Sequence, residues 1–354
     1  MGGGLPKIAV FGAGLVGAYV GLRLAPHARV TLIGRERLVA QAAEGLRVSD
    51  MDGFDLIVTP GEIEATTLPE GLAGADLVLV AVKSHATREA AAAIAAHAPA
   101  RAPVISLQNG VANAEVLRGA LPGRTVLAGM VPFNVVEAEP GRFHRGTGVG
   151  GLVVEAHPDL APFLPRFAAA GVPLEESANI LGVQWGKLLV NLNNAVNAVS
   201  GVSLMEQLRQ RGYRQAWAMA MREGMALAKR AGIRLVDPLP MPLELMPAIM
   251  SLPDRVYFYV AAQAGGGRTR VDSHARSSMA DDLARGRPTE VDFLNGEVVR
   301  LAAQLGRPAP VNARMVELVR AAEAGAPPIA AAALVTDLRR AARTATRTAT
   351  QSGR

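Results

Sequence analysis

An apolar run, Lys7-Ile8-Ala9-Val10-Phe11, leads straight into Gly12-Ala13-Gly14-Leu15-Val16-Gly17 and a helix-forming stretch to about Leu24. A second apolar run, Val30-Thr31-Leu32-Ile33, follows at once. Strand, glycine-rich turn, helix and strand in this order make a βαβ unit, which closes only as two parallel strands with a crossover helix. In such a unit the glycines let the backbone approach a pyrophosphate. The phosphate rests on the helix N-terminus, where unpaired N–H groups and the helix dipole favour an anion. Gly12, Ala13, Gly14, Leu15, Val16 and Gly17 are therefore expected to cradle a dinucleotide; a turn that serves packing alone is the alternative.

Further strands are expected at Leu77 to Val82, Val104 to Leu107 and Thr125 to Ala128, with an Ala-rich helix over 86–97 between the first two. This alternation implies a doubly wound parallel sheet. From about Gly129 to Val154 the pattern turns Gly-rich and β-like, and is expected to complete that sheet. After about Asn179 strand signals stop, and helical patterns run over 182–199, 207–231 and 272–285. A Pro- and Met-rich insert at about 235–253 reads either as a loop packed over these helices or as a substrate lid. The expected class is α/β: an N-terminal doubly wound Rossmann sheet over 1–178, an all-α domain over 179–330, and a basic, flexible tail over 331–354.

Composition narrows the function. Aromatics are 4% of the 354 residues, so Ala, Leu and Val must fill the core. The absence of cysteine excludes disulfides, thiolate metal sites and a cysteine nucleophile, and no metal site is expected. No secretory leader and no membrane-length apolar run is visible, so a cytoplasmic enzyme without a membrane partner is the default. Much of the net charge of +6 sits in the last 20 residues, at Arg339, Arg340, Arg343, Arg347 and Arg354. That makes it a property of the tail rather than a nucleic-acid footprint. A homodimer is left open.

The end of the second strand decides between the two nicotinamide dinucleotides: an acid there holds ribose hydroxyls, a base the 2′-phosphate. The chain has Ile33-Gly34-Arg35-Glu36, so Arg35 favours NADPH while Glu36 keeps NAD open. Lys83 and Asn109 follow strands and so face the crevice at their carboxyl ends, with a solvated charge and a turn-forming Asn-Gly as the plain alternatives. Only Lys7, Lys83, Lys187 and Lys229 are lysines among 37 basic residues. A lysine retained in a cleft offers what arginine lacks, an amine that can release and recover a proton. Around Lys187 the run Lys187-Leu188-Leu189-Val190-Asn191-Leu192-Asn193-Asn194-Ala195-Val196-Asn197 spends four asparagines in seven residues. In one helix Lys187, Asn191 and Asn194 fall at about 0°, 40° and −20°, on one face, and Asn193 and Asn197 point elsewhere. A substrate cleft or an interhelical hydrogen-bond network would explain them. Pro288-Thr289-Glu290 reads first as a helix cap.

Taken together, Gly12-x-Gly14-x-x-Gly17, Val82-Lys83, Asn109-Gly110, Trp185-x-Lys187-x-x-x-Asn191, Ser278-Met279 and Thr289-Glu290-x-Asp292-x-x-Asn295-Gly296 resemble the 2-dehydropantoate 2-reductase (ketopantoate reductase) family over about residues 7–320. The resemblance implies reduction of the 2-oxo group of ketopantoate by NADPH to (R)-pantoate, a precursor of pantothenate and coenzyme A. It makes Lys187 the general acid and Glu290 its partner in the catalytic network. It makes Asn191 and Ser278 substrate binders, places Asn109 near nicotinamide and substrate, and sets Arg35 and Lys83 beside the 2′-phosphate. Many members carry a second substrate asparagine where this chain has Ala195, and Asn194 is the candidate to replace it. That departure and the insert leave another small 2-oxo acid open as substrate.

Overall fold

The computed structural model describes residues 4–147, 151–239, 241–265 and 276–352. The chain forms two compact units, Met1–Ile180 and Leu181–Arg354.

The first unit holds strands β1 (Lys7–Phe11), β2 (Arg29–Ile33), β3 (Leu46–Asp50), β4 (Asp55–Val58), β5 (Glu64–Thr66), β6 (Leu77–Val80), β7 (Val104–Ser106), β8 (Val126–Met130), β9 (Asn134–Glu139), β10 (Arg142–Thr147), β11 (Leu152–Glu155) and β12 (Leu174–Ser177). Its helices are α1 (Leu15–Leu24), α2 (Glu36–Glu44), α3 (Thr87–His97), α4 (Asn113–Ala120) and α5 (Leu164–Ala169). The main sheet runs β12-β11-β8-β7-β6-β1-β2-β5, parallel from β8 through β5. Strand alternation feeds two cores. Ile8, Val10, Leu77 and Leu79 pack into one, with Tyr19 and Leu22 of α1; Ala9, Val78 and Val80 pack into the other, with Ile94 of α3 and Leu117 of α4. Because both faces are covered, these strands read as unbroken apolar runs.

The stretch from Gly129 to Val154 does not simply complete this sheet. β11 joins it, antiparallel to β8, but β9 and β10 pair with β3 and β4 in a separate four-stranded sheet, β4-β3-β10-β9. Val48, Val135 and Phe143 anchor that sheet in the core around Tyr19. Behind them Arg23 of α1 bonds Asp50 at 2.9 Å and Ala170 O at 2.7 Å, with its guanidinium 3.5 Å from the Phe54 ring centroid.

Among the described residues of the second unit every regular element is a helix, and its α-helices are α6 (Ile180–Asn191), α7 (Asn193–Ser200), α8 (Leu204–Arg209), α9 (Arg211–Arg230), α10 (Met246–Met250), α11 (Asp254–Gly265), α12 (Ser278–Ala284), α13 (Asn295–Gln304), α14 (Pro310–Glu323) and α15 (Ala331–Ser352). The helix expected over 182–199 is interrupted at Leu192, and the one expected over 207–231 at Gln210, whose ψ of 111° is extended. Of the helix expected over 272–285, residues 272–275 lie outside the described residues and α12 begins at Ser278. No helix among the described residues is long and apolar enough to cross a membrane.

The insert packs rather than stands free. Leu243, Met246 and Met250 are buried, and the fully buried Arg214 of α9 donates to the carbonyls of Met250 and Leu252. Its first residues lie on α6, where Val236 donates to Gly182 O and a Cβ on Gly186 would stand 2.0 Å from Val236 O. The flexible tail expected from 331 is corrected: residues 331–352 form α15, with Leu334, Val335 and Leu338 buried and Arg314 Nε 2.7 Å from Asp337. Three apolar residues at i, i+1 and i+4 make a stripe that docks, and the Thr, Ala and Arg composition masks it.

Candidate active site

Two of the three glycines of the N-terminal turn, Gly12 and Gly17, are required by the packing around them. Gly12 has φ +94°, and a Cβ there would stand 2.4 Å from the backbone N of Val82. At Gly17 a Cβ would stand 2.7 Å from Gly12 O, so α1 lies directly on the turn. At Gly14 nothing lies within 4 Å of a Cβ. The turn is fastened by the Gly12 and Ala13 N–H groups, both donating to Ile33 O at 2.9 Å. Gly14 is the N-cap of α1 without a side-chain cap, and the first turn carries no acid. The N–H groups of Leu15, Val16 and Gly17 thus begin a helix with an uncompensated positive dipole end beside open space. Those are the steric and electrostatic properties that a dinucleotide pyrophosphate requires, and the turn fits one.

The other candidates of this unit gather at the carboxyl ends of neighbouring strands. Arg35 follows β2 as the N-cap of α2; it is exposed, and among the described residues its guanidinium has no hydrogen-bond or ion-pair partner. Arg37, two residues on, is ion-paired with Glu137 of β9, which leaves Arg35 as the cation at this strand end. Glu36 lies in the first turn of α2. Lys83 follows β6 directly after Val82, the residue that Gly12 abuts, and is partly exposed. Asn109 follows β7 next to Gly110 at φ +90°; it too is partly exposed, with its carbonyl turned inward to accept from Asn113 Nδ2 at 2.7 Å.

In the second unit Lys187, Asn191 and Asn194 are partly exposed, whereas Leu188, Leu189, Leu192, Ala195 and Val196 are buried. The interruption at Leu192 is slight: its φ of −57° and ψ of −19° stay helical and its N–H still reaches Leu188 O at 3.0 Å. Neither the Asn191 nor the Asn194 amide has a hydrogen-bond partner among the described residues. The two other asparagines are taken up by packing. Asn193 Oδ1 accepts from Gln207, and Asn197, fully buried, donates to Val202 O and accepts the Ser277 N–H at 2.9 Å. The interhelical network, one of the two alternatives in the sequence, thus takes up Asn193 and Asn197 and leaves the Asn191 and Asn194 amides outside it.

Burial pushes the Lys187 amine down to about 8, and the negative charge of Glu290 pulls it back up. Glu290 is buried, and although it holds the N-cap position of the 3₁₀ turn Val291–Phe293 its side chain makes no capping bond. The cap reading of Glu290 therefore does not hold; its charge acts on Lys187 instead. Ser278 opens α12 and is exposed, while its neighbour Ser277 caps that helix, accepting from Ala280 N and donating to Asn194 O. Sequence reasoning missed Asn197 and Ser277 as the tie between α7 and α12. It missed Gly182 and Gly186 as the seat of the insert, although small residues four apart are the usual mark of a close backbone approach. Among the described residues no cluster of His, Asp or Glu could hold a metal ion.

Two family models match the chain: Ketopantoate reductase PanE/ApbA over residues 8–159 and Ketopantoate reductase PanE/ApbA C terminal over 179–323; α15 lies beyond both. The 2-dehydropantoate 2-reductase of Halobacterium salinarum is 31% identical over 90% of this chain and 99% of its own length. That of Pyrococcus horikoshii is 30% identical over 90% and 97%. Among solved structures, the PanE/ApbA family ketopantoate reductase from Ralstonia eutropha is 36% identical, with a TM-score of 0.75 over 90% of this chain and 98% of that one.

Proposed function

Since the chain belongs to the ketopantoate reductase family, oxidoreductases acting on a CH–OH group with a nicotinamide dinucleotide, we propose that it reduces ketopantoate to (R)-pantoate with NADPH and that Lys187 is the general acid. A bound nicotinamide dinucleotide would supply the hydride for C2 of the oxo acid. As C2 is reduced, alkoxide character develops on its oxygen, and an ammonium there stabilises the transition state more than the ground state. The Lys187 ammonium donates its proton to that oxygen and is left as a neutral amine. The observation that carries this reading is the Lys187 pKa of about 8 next to the buried carboxylate of Glu290. An amine with that pKa is largely protonated at neutral pH yet gives up its proton far more readily than a solvated lysine. Asn191, Asn194 and Ser278 would hold the oxo acid. Glycines 12, 14 and 17 with Ala13, Leu15 and Val16 would hold the pyrophosphate, Arg35 and Lys83 the 2′-phosphate, and Asn109 would stand near nicotinamide and substrate.

A second reading rests on Ala195. It is fully buried and carries no polar group, so the substrate side would offer one amide fewer at that position. A small 2-oxo acid lacking the hydroxyl of ketopantoate would then be taken as well or better. Following NADPH consumption with ketopantoate and with a panel of small 2-oxo acids tests both. The highest kcat/KM for ketopantoate supports the first reading; a higher value for a less polar oxo acid supports the second. Loss of NADPH with none of them would sink both.

A further inference from the structure

Between the ends of β6 and β7 lies a chain of buried uncharged polar side chains that no apolar packing explains. Asn113, at the start of α4 and buried, spends both amide hydrogens there: Nδ2 donates to Asn109 O at 2.7 Å and to Ser84 Oγ at 3.1 Å, while Oδ1 shares the one hydroxyl hydrogen of Thr87 Oγ1, 2.9 Å away, with Ser84 O at 2.8 Å. Thr87 Oγ1 in turn accepts from Gln108 Nε2 at 2.7 Å, and Gln108 Oε1 accepts from Ser106 Oγ at 3.0 Å. Ser84, Thr87, Ser106 and Gln108 are all buried as well. Two strand ends are thereby joined. Ser84 and Thr87 belong to the segment opened by Lys83, and Gln108 immediately precedes Asn109.

We propose that Asn113 is a positioning residue for dinucleotide binding, holding the Lys83 segment and Asn109 as one rigid edge of the cofactor crevice. This rests on the assignment of the cofactor to the first unit. The geometry favours it over a purely stabilising role because of where the bonds end. An asparagine that served the core alone could satisfy itself within its own helix, whereas this one spends its donors on the backbone of Asn109 and on the residue after Lys83. Fixing the Asn109 carbonyl inward fixes the direction in which its side chain leaves the chain, beside a glycine at φ +90° that would otherwise leave the turn loose. Buried networks of this kind resist movement of either strand end, because displacing one would leave the Asn113 amide hydrogens without acceptors away from water.

The test begins with titration of NADPH and of NADH against the wild-type protein by the nicotinamide fluorescence. Asn113→Asp puts a carboxylate oxygen against Asn109 O and Ser84 Oγ where an N–H donor stood. It is expected to weaken NADPH binding and to raise its KM about ten-fold or more, the scale on which small misplacements act. Thr87→Val keeps the shape and removes the bridging hydroxyl; a smaller shift in the same direction is expected, and this variant carries the test if Asn113→Asp does not fold. Phe167→Leu, in the other core of the same unit, supplies a comparable loss of Tm and is expected to leave the KM for NADPH unchanged. If Thr87→Val and any folded Asn113→Asp lose Tm but bind NADPH like wild type, the positioning role is overturned. A wild-type protein that binds neither dinucleotide would overturn the cofactor assignment and this inference with it.

Discussion

At Gly14 the first unit presents bare backbone, open for 4 Å around the place of a Cβ, whereas at Lys187 the second presents an amine whose pKa burial has pushed to about 8. One surface is made by what side chains leave out and is governed by sterics. The other is made by what a side chain carries and is governed by its surroundings. Substitutions in the two should therefore fail differently: in the first through folding and KM, in the second through kcat and pH dependence.

The largest effect is expected at Lys187. Lys187→Ala should lower kcat by about 10²- to 10⁴-fold, the usual cost of losing a positioned proton donor, with NADPH affinity retained. Lys187→Arg should not restore the rate, because guanidinium keeps the charge but holds its proton. With Lys187 as the proposed proton donor, reduction would need the ammonium, so kcat should fall as pH rises through about 8, and the reverse oxidation, which would need the neutral amine, should rise over the same range. A flat profile from pH 7 to 9, with full activity in Lys187→Ala, would remove the electrostatic half of the comparison.

Next comes a pair within the glycine turn. Gly12→Ala meets the Val82 backbone at 2.4 Å in a left-handed conformation, so the protein should lose many degrees of Tm or fail to fold. Gly14→Ala meets nothing, at φ −80° that alanine accepts, and should leave Tm nearly unchanged while raising the KM for NADPH. Equal behaviour of the two would mean that the open space at Gly14 is not where the phosphate lies.

These contrasts explain which features the sequence made legible. A glycine spacing is a steric requirement written in residue identities, so the βαβ unit and the cradle could be read directly. The run of asparagines was visible as an anomaly, but its division was not. Asn197 is claimed by the Ser277 N–H eighty residues away, and no local periodicity carries that pairing. Glu290 looked like a cap because capping depends on local order; its burial beside Lys187 depends on tertiary packing. The second sheet was hidden for the same reason: β3 and β10 are short, carry Arg47, Asp50, Arg142 and Arg145, and meet across about ninety residues.

A middle-sized effect sharpens the first unit alone. Arg35→Ala should raise the KM for NADPH about ten-fold, as expected for losing a charge-assisted contact to phosphate, and leave NADH nearly unchanged. Arg37→Ala should change neither, since Arg37 is already paired with Glu137. If NADPH and NADH suffer equally in Arg35→Ala, the residue serves α2 rather than cofactor choice.

The smallest change in catalysis is expected from α15, where folding and chemistry should separate. Leu334, Val335 and Leu338 are buried, and Ala331 packs so closely on α9 that a Cβ on Gly212 would stand 2.9 Å from it. Burying each large aliphatic is worth about 1.5–3 kcal/mol as an upper figure. Ending the chain after Ala330 should therefore lower Tm by several degrees, with kcat and KM at 25 °C unchanged. Beyond Leu338 the side chains described are exposed or half-buried, as at Arg339, Arg340 and Arg343, so ending it after Ala345 should change neither. Leu338→Asp should reproduce much of the longer truncation, since it puts a charge where no solvent reaches. Were the two truncations to lower Tm equally, the anchor would lie in the last turns; were the longer one to lower kcat, α15 would belong with Lys187 rather than with the scaffold.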